Sequence, residues 1–438
     1  MVITNMGLIL IPIGIILFII KYDYLLYLTI FFSGFSGSSL VNFSGLSVQP
    51  GYYFFMLFAI RYIFEIVKNE KIVKPNWILF TFICICFISL IMPIILENKK
   101  ILVLNPDNVY ENVKPRNQNI TQYMYLISGF MLYWMTKDYC INNTKACNNF
   151  IKTILYSAIL ISILGIYQQI AYIKNLPFDD LFRQGIHGNV QPFGSLVRVY
   201  SVFIEPSMYS IFLILCISIC MYIPKNIFRH KLLLLILLII NGFMSTSSTF
   251  ILGIIILMGI LIGQTFKFKY NKHDRKFNKN IVILIMLIII CLIIIYKLNP
   301  NFISKIINEV IGKLQNNNLS SIQRSGSFRH HLEVAFKYPL IGVGFGSVRS
   351  YDLFTTWLSS IGFTGVIIFV LYICSITYKS LRIESSEHRK ICKGFAFGVF
   401  IIFILMFISV PEPYSLFIWI SMSIIEVYCM EDRKNIYN

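Results

Sequence analysis

Hydrophobic residues in this chain arrive in blocks rather than in alternation. Apolar runs of roughly 17–25 residues recur from end to end, the length of a helix that spans a bilayer core. The pattern predicts about 12–13 transmembrane helices, near 6–20, 24–40, 51–67, 77–96, 120–136, 151–172, 202–223, 228–243, 246–265, 280–297, 353–377, 393–410 and 414–430. Only the kink Asn241-Gly-Phe-Met-Ser245 divides the eighth from the ninth. Continuous runs exclude a β-barrel, whose strands would alternate. The expected fold class is all-α: a polytopic integral membrane protein, with residues 1–438 forming a single membrane domain. Two long polar stretches, 173–201 and 297–352, break the rhythm and are expected as large extracytoplasmic loops.

Composition sharpens this picture. Charged residues make up 13% of the chain, about half the usual share for a soluble domain, and mean hydropathy is +0.72. The first apolar segment, Gly7 to Ile20, has no basic residue before it and no small-x-small cleavage site, and Lys21 follows it. It reads as a retained helix rather than a secretory signal.

Charge supplies a topology. Most of the 38 Lys and Arg residues lie in short connectors at 61–76, 137–152, 224–231, 266–279 and 378–393, in the tail, and at Lys21. The connector 266–279 alone holds Lys267, Lys269, Lys272, Arg275, Lys276 and Lys279. The remaining cations are spread over the longer loops near 97–119, 173–201 and 297–352. The positive-inside rule puts the first set and the C-terminus in the cytoplasm and the long loops outside. All ten cysteines fall in spans or in that first set, so no external disulfide framework is expected. The net charge of +18 serves topology and attraction to anionic membrane lipid. Nucleic-acid binding would need that charge on a folded soluble domain, so no nucleic-acid partner is expected.

Chemistry then has few places to live. The first loop ends in Arg198-Val-Tyr-Ser-Val-Phe-Ile-Glu-Pro-Ser207 and also carries Asp179, Asp180, Arg183 and His187. The second carries Arg324, Arg329, His330, His331, Glu333, Lys337 and Arg349. Guanidinium groups beside membrane helices suit a phosphate-bearing lipid, because their planar fork matches phosphate oxygens. The same arginines could instead anchor loops to headgroups or pair with Asp179, Asp180 and Glu333. Arg198 and Arg329 are the expected pyrophosphate ligands, with Arg183 and Arg324 in support. Glu205 before Pro206 reads as a helix start at the membrane edge. It also suits a general base for a sugar hydroxyl, or a clamp on Arg198. His331 is a second candidate base. His330 and Glu333 are too loosely spaced to make a metal site, and no metal or other cofactor is expected. Gly342-Val-Gly344-Phe-Gly346 lacks dinucleotide spacing and suits a tight backbone return after Pro339. Ser245 to Thr249 suits a capped helix start.

Three of these stretches also carry a resemblance: Arg198 to Pro206 entering a span, Ser245 to Thr249 opening another, and Arg329 through Gly346. With Leu358-Ser-Ser-Ile-Gly-Phe-Thr-Gly365 and the order of spans and loops, the chain resembles the Wzy-type O-antigen and capsular polysaccharide polymerases of the O-antigen ligase/polymerase superfamily. Arg183 and Gly194 match the spacing described for the first large loop of such polymerases; nothing in the second loop does. The resemblance implies a metal-independent glycosyltransferase of the bacterial cytoplasmic membrane. It would polymerise undecaprenyl-pyrophosphate-linked oligosaccharide repeat units on the outer face, alongside a flippase and a chain-length regulator. Ligases typically place a His shortly before the span after the second loop. Here Ser350-Tyr-Asp-Leu-Phe-Thr-Thr-Trp-Leu358 has none, leaving Asp352 as a substitute. A ligase-like transferase and a lipid-linked oligosaccharide flippase are the alternatives. The flippase would call for repeated halves and charges deep in the spans, and neither is evident. The polymerase reading requires arginines of the two loops to converge on one cavity.

Overall fold

A computed structural model describes residues 2–43, 46–68, 73–143, 145–184, 192–193, 196–270, 279–298, 304 and 319–437. His187, Gly194 and the connector 271–278 lie outside the described residues. The chain is predominantly helical. Its helices are α1 (Asn5–Ile20), α2 (Asp23–Phe31), α3 (Pro50–Lys68), α4 (Trp77–Ser89), α5 (Met92–Leu96), α6 (Asn117–Asn142), α7 (Ala146–Lys174), α8 (Asp179–Phe182), α9 (Pro206–Tyr222), α10 (Lys231–Met244), α11 (Ser248–Tyr270), α12 (Lys279–Leu298), α13 (Leu319–Lys337), α14 (Leu353–Leu381), α15 (Ser386–Ser409) and α16 (Leu416–Tyr437). Four helical stretches are candidate membrane spans by length and composition: Trp77–Lys99, Ala146–Lys174, Leu353–Leu381 and Ser386–Ser409. Five shorter apolar helices accompany them, within α1, α9, α10, α11 and α12. Isoleucines on α1, α7, α12 and α14 (Ile16, Ile163, Ile289, Ile367) face outward, as they would toward lipid rather than water.

One expected segment ends early and another is interrupted. The segment 24–40 stops after α2 and a 3₁₀ turn, Phe32–Gly34. Beyond it the Gly37 N–H bonds the Val202 carbonyl at 2.8 Å. The approach is so close that a Cβ at Gly37 would lie 2.7 Å from Phe203 O. The segment 77–96 breaks between α4 and α5, where Pro93 sits in the first turn of α5. The polar loops are not purely irregular. They hold β1 (Val2–Ile3), β2 (Val41–Phe43) and β3 (Leu46–Val48) in one antiparallel sheet, and β4 (Leu102–Leu104) with β5 (Tyr110–Asn112) in a hairpin. β6 (Pro192–Phe193) and β7 (Leu196–Val197) form a third, minimal pair. The second long loop contains the whole of α13.

At the centre stands α9, apolar on all sides and buried on nearly all of them. α15 lies against it through Gly394 and Gly398. Side chains there would collide: a Cβ at Gly398 would sit 2.7 Å from Leu215 Cδ1, and one at Gly394 would sit 3.2 Å from Ile219 Cα. Small residues four apart let two helix backbones approach, and Ser218 Oγ donates to the Gly394 carbonyl at 2.8 Å across the seam.

α14 is two helices joined at Gly362, whose φ of 69° and ψ of −177° interrupt the ladder. The freed backbone groups are taken up by the glycine-rich loop 339–346. Val343 N–H donates to Ser359 O at 2.8 Å, Gly344 N–H to Ser360 O at 3.0 Å, and Phe363 N–H to Pro339 O at 2.7 Å.

Among the described residues, connectors of the two sets make contacts within their own set. At the connector end, Asn226 bonds Glu387, Tyr428 bonds Asn148, and Asp432 accepts from the N–H groups of Glu384 and Ser385. A buried ion pair also sits there. Lys137 Nζ of α6 lies 2.8 Å from Glu426 Oε2 of α16, and Tyr133 and Asn76 donate to the same carboxylate. At the loop end, Asn5 and Asn42 bond Gln184, and Arg349 N–H bonds Leu104 O. The charge rule makes the loop end external, which predicts a labelling pattern. In a background stripped of native cysteines, Asp107→Cys should react with a membrane-impermeant maleimide in intact cells. Ser386→Cys should react only after permeabilisation. The reverse pattern would invert the orientation.

Candidate functional site

The loop end contains a narrow, nearly closed cleft, in which only about 20 Å³ is open to the centre of a water molecule. Each wall has a local cause. The first is the loop 339–349. Gly342, Gly344 and Gly346 take φ of 71°, 122° and 75°, values that L side chains resist. Asn119 Nδ2, from the start of α6, holds this loop through Phe345 O and Ser347 Oγ, each at 2.7 Å. The loop delivers Arg349 to the rim. The second wall is the turn Val410-Pro-Glu-Pro-Tyr414 between α15 and α16. Two prolines fix its φ angles. Trp419 Nε1 donates to Pro413 O at 3.0 Å and Tyr52 OH to Tyr414 O at 2.8 Å. The floor is Leu353, Thr356, Trp357 and Ser360, the outer half of the broken α14.

Arg349 pairs with Glu412 across the cleft. Glu412 holds the Arg349 guanidinium firmly charged, against the opposing effect of burial. Burial raises the Glu412 carboxyl above the ordinary carboxylate range; Arg349 opposes that rise, and Glu205 adds to it by like-charge repulsion. Glu205 therefore acts on both members of the pair. It is exposed at the N-cap of α9, with Pro206 in the first turn, and accepts from Ser207 Oγ at 3.1 Å. The end of the second long loop and the turn between α15 and α16 thus meet at one guanidinium, with the charge of Glu205 acting on both from the start of α9.

The other sequence candidates are placed differently. Arg198 is half-buried and donates to Thr246 O at 3.4 Å, beside the Val199 N–H bond to Met244 O. It ties the start of α9 to the turn between α10 and α11. Arg183 is 3% exposed, paired with Asp179 at 2.9 Å and stacked 4.1 Å from the Tyr200 ring centroid. Those contacts hold it inside the first loop, away from any incoming ligand. Arg324 is exposed with its guanidinium 5.8 Å from the Tyr351 ring, and Arg329 is exposed on α13. Asp352 caps α14, accepting from Thr355 N and Thr355 Oγ1 at 2.7 Å each, and burial raises its pKa. His330 bonds Leu102 O at 2.8 Å.

His331 is fully buried. Its Nδ1–H donates to Ser327 O at 2.7 Å and its Nε2 accepts the Leu104 N–H at 3.1 Å, which fixes the tautomer. Both nitrogens are thus engaged in joining α13 to β4, away from any acceptor hydroxyl. Sequence reasoning named Arg349 only as one of several loop cations and passed over Glu412. The available signal was a carboxylate enclosed by two prolines in a short break between apolar segments.

Burial lowers the His331 pKa from 6.5 to about 4. A base whose folded pKa is depressed favours the fold when neutral. Its contribution is full above pH 6.5 and is lost as pH falls toward 4, because the unfolded chain binds the proton first. Thermal unfolding in detergent should therefore fall across that window in the parent protein. In His331→Gln the midpoint should start lower and fall less; equal slopes would remove His331 from the pH response.

Among the described residues, no group of three or more His, Cys, Asp or Glu is placed to hold a metal ion. No protein-family model, curated protein or solved structure matches this chain.

Proposed function

We propose that this protein is an integral membrane glycosyltransferase that polymerises undecaprenyl-pyrophosphate-linked oligosaccharide repeat units on the outer face of the bacterial cytoplasmic membrane. The observation that carries the reading is the cleft at the loop end, where Arg349 and Glu412 arrive from distant parts of the chain and pair, within the electrostatic reach of Glu205. A lipid-linked donor would keep its polyprenyl chain in the bilayer and its diphosphate at the membrane rim. A cleft at the loop end of the helix bundle suits that placement.

In the reaction, the bond between the donor sugar's anomeric carbon and the diphosphate oxygen breaks. A bond from an acceptor hydroxyl oxygen to that carbon forms. The electron pair leaves on the diphosphate, and a guanidinium that donates two parallel hydrogen bonds stabilises the charge as it grows. Arg349 fills that role at the cleft, with Arg198, Arg324 and Arg329 as further cations at the same end. The acceptor proton needs a carboxylate with access to solvent and substrate, and Glu205 has that exposure. A flippase would supply the lipid-linked units, and a chain-length regulator would act on the product.

Purified protein supplied with lipid-linked repeat units tests this. The parent should form polymer without a second protein. Arg349→Ala and Glu205→Gln should each lower polymer formation on the order of 100-fold, the scale of a lost charge-stabilising or proton-transfer group. Arg198→Ala should insert normally yet leave single units on lipid. Undiminished polymer from Arg349→Ala would sink the assignment.

A further inference from the structure

Arg349 has as its partner a carboxylate of the protein itself. Glu412 is held against it by a turn with little freedom, pinned by Pro411 and Pro413 and by the Trp419 and Tyr52 hydrogen bonds. The charged and titratable groups acting on Glu412 come from every side: Arg349 from the glycine-rich loop, Glu205 from the start of α9, Tyr52 from α3, Tyr125 from α6 and Tyr414 from its own turn. The guanidinium is paired with Glu412, and the nearby charge of Glu205 leaves the local balance negative. A carboxylate presents two oxygens to a guanidinium fork much as a phosphate does.

We propose that Glu412 is the resting occupant of an anion site at Arg349, standing where a diphosphate group binds, and that the ligand must displace it. This rests on the polymerase reading and adds to it a gate: the cation is closed to weak anions until a group of higher charge arrives. Once displaced, Glu412 loses the guanidinium that opposes the rise of its pKa, while Glu205 still adds to that rise. Diphosphate binding is therefore coupled to uptake of a proton by Glu412. The coupling needs no other reactant, since the proton comes from solvent.

Inorganic pyrophosphate is the probe, titrated calorimetrically into the purified full-length protein in phosphatidylcholine nanodiscs near pH 7. Glu412→Gln keeps the shape of the side chain and removes its charge, and a thermal midpoint near that of the parent shows that it has folded. It should bind pyrophosphate at least fivefold more tightly than the parent. Repeating the titration in buffers of different ionisation enthalpy counts protons. The parent should take up more protons per pyrophosphate than Glu412→Gln, and the comparison cancels the ligand's own protonation. Equal or weaker binding by Glu412→Gln would overturn the proposal, making Glu412 a clamp that positions Arg349. Loss of parental binding in Arg349→Ala, with Glu412→Gln unchanged from the parent, would leave the polymerase reading intact and sink only the gate. Undiminished binding by Arg349→Ala would sink both. Competition from phosphatidylglycerol added to the nanodiscs would assign the anion site to bulk lipid headgroups and overturn the donor reading.

Discussion

Backbone polarity at the break in α14 is the constraint on which the loop end depends. In apolar surroundings a helix cannot release carbonyl and amide groups without new partners. Gly362 releases them, and the loop 339–346 returns to take them. The fit is close on both sides: a Cβ at Gly362 would lie 2.3 Å from Leu340 O, and one at Gly342 would lie 2.4 Å from Ser360 C. Only glycine meets both the positive φ and the missing space. Once this lacing forms, the position of Arg349 is set by the chain's own need for hydrogen bonds. The half-helix that remains lays Thr356, Trp357 and Ser360 across the cleft floor.

The same end shows how an irregular surface is built on a regular bundle. β4 adds a small apolar cluster, in which Val103 lies with Val334, Val343 and Val348. The strand also receives His331 from α13 and the Arg349 N–H from the glycine-rich loop, so the hairpin splints both. The first long loop is organised from within by Arg183, whose guanidinium is sandwiched between a carboxylate and an aromatic ring. A cation buried in this way organises structure, whereas one at a cleft rim keeps part of its surface accessible.

That distinction marks the limit of what the sequence conveyed. Helical segments were legible because apolar runs and polar connectors alternate on the scale of a bilayer, and α7, α11 and α12 lie close to where the pattern put them. The roles of individual arginines were not legible. Arg183 and Arg349 look alike on the page, and only the fold puts Asp179 and Tyr200 around one and a cleft beside the other. Glu412 escaped notice because its partner is 63 positions away. The shortening of the segment 24–40 escaped too, since it is set by Gly37 packing against the Val202–Phe203 backbone rather than by local propensity.

The pair between Lys137 and Glu426 bears on how the chain is assembled. Lys137 is made 289 residues before Glu426, so through that interval of synthesis an ammonium group in the bundle has no counter-ion there. Tyr133 and Asn76 are likewise left without their acceptor until the final helix docks. α16 is thus the closing bolt of the assembly. A chain cut short before it would retain a lone desolvated cation, a defect that membrane quality control could read as incompleteness.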